Sequence, residues 1–129
     1  MPYRWVDHTA ELELHIEAAS PTLVLQEGLS ALAELYDGAT GEPETHELAL
    51  EARDLPALLA EWLEELVFLA ETRGFVADQA GIVLCNTSVR ATVRGKRGEP
   101  RPLVKAVTYH GLMFDRLDGG WQARVVLDV

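Results

Sequence analysis

From Glu11 onward the chain alternates. Glu11, Glu13, His15 and Glu17 are polar, and Leu12, Leu14, Ile16 and Ala18 fall between them. A period of two predicts a strand with one wet and one buried face. The period changes after Ser20-Pro21-Thr22, where serine as N-cap and proline in the first turn open a helix. Leu25, Leu29, Leu32 and Tyr36 recur at helical spacing, and Gly38 is placed to stop it. Residues 38–45 hold Gly38, Gly41 and Pro43 and read as a loop. Leu48, Leu50 and Ala52 then alternate with polar neighbours, which predicts a second strand. Asp54 caps a second helix whose stripe is Leu58, Leu59, Trp62, Leu63, Leu66, Val67 and Ala70, ended by Gly74. Trp62 belongs to that stripe and is expected in the core. Residues 75–77 and 82–94 are strand-like. Two further strands, 104–114 and 121–129, flank a turn at Asp118-Gly119-Gly120.

The order is strand, helix, strand, helix and then consecutive strands, which favours an α+β domain over a doubly wound parallel fold. We expect two helices packed on one face of a mixed, largely antiparallel sheet, a two-layer sandwich, with residues 1–129 forming a single domain. At this length a domain buries roughly two-thirds of its unfolded surface, and 48% of residues are hydrophobic. No apolar run approaches the ~20 residues that span a bilayer, and no secretory signal is visible at the N-terminus. The lone Cys85 rules out an internal disulfide framework, fits a cytoplasmic setting, and sits in an apolar run that predicts a buried, inert thiol.

Charge narrows the function. With 21 acids against 11 bases the net charge is −10, which argues against strong direct nucleic-acid binding, since gripping phosphates takes clustered Lys and Arg. A basic partner surface or a bound cation fits better. The sign reverses locally. Arg94, Lys96, Arg97, Arg101 and Lys105 gather around a glycine- and proline-rich segment, residues 94–102, that reads as a basic loop.

The common catalytic signatures are missing. Gly119-Gly120 lacks the Lys-Ser/Thr of a phosphate loop. No His-Glu-x-x-His or cysteine pair suggests zinc. Ser30 and Ser88 have no nucleophile motif around them, and the four histidines are not paired at metal spacing. A stand-alone hydrolase needs an activated water and a base in a pocket, and no such set is evident. The chain ends offer more. Glu11 lies on the polar face of the first strand, Asp128 alternates with Leu127 and Val129 at the end of the last, and Val129 carries the terminal carboxylate. Carboxylates brought together repel unless a cation lies between them or one keeps its proton. Oxygen donors suit Ca²⁺, Mg²⁺ or Mn²⁺.

Four stretches in order resemble the archease family: Asp7-His8-Thr9-Ala10-Glu11, Leu58-Leu59-Ala60-Glu61-Trp62-Leu63, Lys105-Ala106-Val107-Thr108-Tyr109-His110, and Val125-Val126-Leu127-Asp128-Val129. The resemblance covers nearly the whole length. It implies a non-catalytic accessory protein that promotes GTP-dependent guanylylation and multiple turnover of the RtcB-type tRNA-splicing RNA ligase. The alternative it implies is a chaperone-like modulator of an RNA-modifying enzyme such as a tRNA methyltransferase. The implied metal site uses Glu11, Asp128 and Val129. The family usually has aspartate at the position of Glu11, and Asp7 is a nearby acid that could compensate. Within the matching motifs, Lys105 and His8 are candidates for contact with a phosphate or with the ligase.

Overall fold

The computed structural model describes residues 2–37 and 39–129. Along the chain run β1 (Tyr3–His8), β2 (Glu11–Ala18), α1 (Pro21–Leu35), β3 (Pro43–Glu51), α2 (Leu55–Arg73), β4 (Phe75–Cys85), β5 (Ser88–Arg97), β6 (Ala106–Leu117) and β7 (Gly120–Asp128). Both helices begin as their sequences predict. The Ser20 hydroxyl accepts from the Leu23 N–H, and the Asp54 carboxylate accepts from the Ala57 N–H. Helix α2 ends at Gly74 in the left-handed conformation, φ 69°, which a residue with a Cβ adopts only at a cost. Gly38, the expected end of the first helix, lies outside the described residues.

The α+β class and the layering of two helices on sheet stand. The strands divide into two sheets, both antiparallel throughout, where one mixed sheet was expected. One has the order β1-β2-β7-β6 and the other β3-β5-β4. The helices bridge them, since α1 and α2 each pack against strands of both sheets. Their shared core holds Leu14, Ile16, Leu25, Leu29, Leu58, Leu59, Trp62, Leu63, Phe75 and Leu127, all essentially inaccessible. Trp62 is central, and its indole N–H donates to the Leu25 carbonyl at 2.9 Å, so its one polar group is satisfied. No helix among the described residues is long and apolar enough to cross a membrane.

One strand is added and two local expectations change. Residues 3–8 form a strand of their own, paired with β2 through a tight turn at Thr9-Ala10. Arg94 to Arg97 lie inside β5, so the basic segment is loop only beyond them. Cys85 is exposed. It ends β4 one position out of phase with Ile82 and Leu84, which take the inward face, and leaves with Val83 on the outward one.

Candidate functional site

The first and last strands of the expected site are neighbours. Strand β2 pairs with β7 in the register Glu11 opposite Asp128, Leu12 opposite Leu127 and Leu14 opposite Val125. Residues directly opposite in an antiparallel pair leave the same face, with Cα atoms ~4.5–5.5 Å apart. Leu14, Val125 and Leu127 enter the core, so Glu11 and Asp128 emerge together on the solvent face. The row continues outward to His8 on β1 and Ala106 on β6. Val129 is fixed beside it, because its N–H donates to the Ala10 carbonyl at 3.0 Å. Ala10 has φ 61°, a left-handed conformation that a residue with a Cβ adopts only at a cost. Thus the turn between β1 and β2 presents the acceptor that secures the end of β7.

The remaining expected residues sit around this row but do not all join it. The Lys105 N–H donates to the Asp128 carbonyl at 2.7 Å. Lys105 also lines an open depression of about 320 Å³ with Glu64, Val67, Phe68, Ala106 and Val107. Asp7 pairs with Leu12, one position off the Glu11 row, and therefore leaves the opposite face. His8 shares the Glu11 row, but its Nε2 lies 3.2 Å from Glu13 Oε2, and His15 Nε2 lies 3.5 Å from the same oxygen. The hydrogen bond from His8, and then that from His15, holds the Glu13 carboxyl below the usual carboxylate range.

Among the described residues no three His, Cys, Asp or Glu side chains converge as a ready metal cluster. The donor pair at the seam is two side-chain carboxylates, Glu11 and Asp128, with the Val129 main chain beside them. Its chemistry fits a hard divalent cation, which takes oxygen ligands and tolerates an open shell completed by water or by groups of a partner. Glutamate at position 11 extends one methylene further than aspartate from the same Cα.

One organising residue carried no signal in the sequence. Glu71, on the polar side of α2, accepts through Oε2 from the Leu103 N–H at 3.0 Å and the Val104 N–H at 2.7 Å. The Tyr36 hydroxyl donates to the same oxygen. Burial, and next the hydrogen bond to Glu71, push the Tyr36 phenol well above its ordinary value. Glu71 thus anchors the segment that delivers Lys105 to the end of β7. The basic cluster itself is dispersed. Arg97 pairs with Glu44 at 2.6 Å, Arg101 donates to the Asp37 carbonyl at 2.7 Å, and Lys105 stands apart at the seam. His46 bonds to Glu44 at 3.1 Å and packs its ring, tilted, against Phe75.

Comparison with known proteins gives a consistent match. The model of the archease protein family matches residues 3–129. Protein archease of Methanopyrus kandleri is 36% identical over the whole of both chains. That of Methanosarcina mazei is 29% identical, over 98% of this chain and 95% of its own. The solution structure of Methanobacterium thermoautotrophicum protein 1598 superposes with a TM-score of 0.72 at 25% identity, covering 99% of each chain. The crystal structure of a Thermotoga maritima archease, described as a possible chaperone, shares the fold with a TM-score of 0.71 at 22% identity, over 96% of this chain and 94% of its own.

Proposed function

We infer the function from one premise: this chain belongs to the archease family. On that footing the protein is a non-catalytic activator of an RtcB-type tRNA-splicing RNA ligase, and it promotes the ligase's GTP-dependent guanylylation and multiple turnover. Glu11, Asp128 and Val129 hold a divalent cation. The observation that carries the reading is the direct pairing of Glu11 with Asp128 on the solvent face of β2 and β7. Two like charges in adjacent register positions repel, and a cation between them removes that cost. When bound, the ion supplies a concentrated positive charge suited to phosphate oxygens. The chain's own contribution is to hold the carboxylates side by side, with Lys105 close at hand through its bond to the Asp128 carbonyl. The acidic surface, at a net charge of −10, suits docking on an enzyme that grips RNA.

The test follows ligase turnovers with GTP and Mn²⁺ in the presence of wild type or Asp128→Ala. Wild type raises the number of turnovers per ligase, and Asp128→Ala, on the exposed end of β7, folds normally and gives no gain. Full activity of Asp128→Ala removes the cation from the reading. A lack of any gain from folded wild type removes the activator role. A chaperone-like role towards a tRNA methyltransferase makes a different prediction: suppression of that enzyme's aggregation by wild type and Asp128→Ala alike.

A further inference from the structure

Most large apolar side chains of this protein are buried, yet two aromatic ones stand out beside the seam. Phe68 on α2 is 53% exposed and Tyr109 on β6 is 47% exposed. Phe68 lines the open depression with Val67, Glu64 and Lys105. Tyr109 follows Val107, which lines the same depression, by two positions on β6, about 6–7 Å along the strand. Glu61, Glu64 and Phe68 fall three and four positions apart on α2 and so share one side of it, and partial burial, then Glu64 and Glu61, raise the Tyr109 phenol above its ordinary value. The Arg53 guanidinium lies 6.0 Å from its ring centre. An apolar patch rimmed by Glu61 and Glu64 therefore runs along α2 and the edge of the sheet.

The strand itself limits what can dock. Strand β6 is an edge, but Thr108 pairs with Val126 and Met113 with Arg124, so Tyr109 through Leu112 face Val125 alone. Gly111 turns the bulge at φ 67°, and its carbonyl accepts from Arg124 Nε at 3.0 Å. Such a bulge interrupts the edge and opposes the addition of an extended strand. What it offers instead is Tyr109 and Phe68 as side-chain contacts.

We propose that Phe68, Val67 and Tyr109, rimmed by Glu61 and Glu64, form the surface on which the ligase docks, receiving an apolar side chain set among lysines or arginines. The proposal rests on the activator reading and names its contact surface. An RNA-gripping enzyme carries clustered cations, which complement the acidic rim. A second copy of this chain carries the same negative charge and is repelled. The depression begins at Lys105, whose N–H bonds the Asp128 carbonyl, so it reaches the end of the strand that carries Asp128, on the helix side of the sheet.

The experiment measures binding of the purified ligase to fluorescently labelled protein, and ligase turnover, on the same samples. Phe68→Ser, Tyr109→Ser and the double charge reversal Glu61→Lys with Glu64→Lys all alter exposed or half-exposed positions, and circular dichroism checks their fold. Phe68→Ser is expected to weaken binding about ten-fold or more, as central aromatic contacts do. The charge reversal should weaken it and flatten its salt dependence. Turnover at saturating protein should stay at the wild-type level. Val83→Ser, the most exposed apolar position on the other sheet, should bind as wild type. Patch variants that bind as tightly as wild type overturn the proposal and leave the activator role standing. A wild-type dimer dissolved by Phe68→Ser with ligase binding unchanged assigns the patch to a second copy and overturns it too. Binding lost in the patch variants, with no effect of wild type on turnover, keeps the docking surface and removes the activator role.

Discussion

Replacing Glu71 by alanine strikes a structural joint rather than the site, and the outcome can be estimated from its partners. One carboxylate oxygen receives the Tyr36 hydroxyl and the backbone N–H groups of Leu103 and Val104. Tyr36 is only 4% exposed, so its hydroxyl would lose its partner with little access to water, at about 1–3 kcal/mol. Leu103 is half-buried and Val104 buried, but exposed Pro102 and Lys105 flank them, so water can replace part of each backbone bond, at about 0.5 kcal/mol each. Glu71→Ala should therefore lose about 2–4 kcal/mol in urea unfolding with an unchanged slope. Glu71→Gln keeps an acceptor and should lose less. The local signature is hydrogen exchange at Lys105, whose N–H bonds the Asp128 carbonyl, and it should accelerate in Glu71→Ala. A loss below about 0.5 kcal/mol, with Lys105 exchange unchanged, would refute the reasoning. A pH arm follows from Tyr36. Its folded value is raised, so the bond's contribution is present below the ordinary tyrosine value of ~10 and declines as pH rises beyond it. The stability gap between wild type and Tyr36→Phe should narrow there.

Gly74→Ala would force a Cβ against the Gly98 carbonyl at φ 69° and should cost at least about 2 kcal/mol in denaturant unfolding; a neutral result would mean that the α2–β4 junction relaxes freely. Tyr3 donates to Glu34 at 2.6 Å, and that bond, with lesser help from burial, raises its phenol to about 12. Any stability difference between wild type and Tyr3→Phe is therefore complete below pH ~10 and vanishes as pH climbs through about 12. Cys85 is exposed, so native protein should react promptly with a thiol reagent, and Cys85→Ser should shift stability by less than about 0.5 kcal/mol.

The helices were legible because each carries its own punctuation: Ser20-Pro21, Asp54 and Gly74 are local chemistry that the fold uses as written. The outer strands were less so. Residues 3–8 form β1, but the turn that follows is made by Ala10 at φ 61° without a glycine or asparagine to announce it. Arg94 and Lys96 suggested a loop, although they alternate with Val93 and Gly95, which are buried, as a strand half in water requires. At the site, Glu11 and Asp128 could be named from polarity and position, yet only the register makes them opposites. Register comes from the packing of Leu12, Leu14, Val125 and Leu127, which no local pattern encodes across such a separation. Glu71 left no trace, because a helix carboxylate that caps a distant loop reads the same as one facing water.

The order β1-β2-β7-β6 has a kinetic side. Each half is a hairpin of consecutive strands that can form from nearby residues, whereas the β2–β7 contact joins segments over a hundred residues apart and carries the larger loop-closure cost. Glu11 belongs to one hairpin and Asp128 to the other. A cation bridging them would act as a clasp on the seam: it could enter only after the halves had docked, and every parting of the halves would release it. Ion affinity and resistance to opening along that seam would then be two readings of one equilibrium.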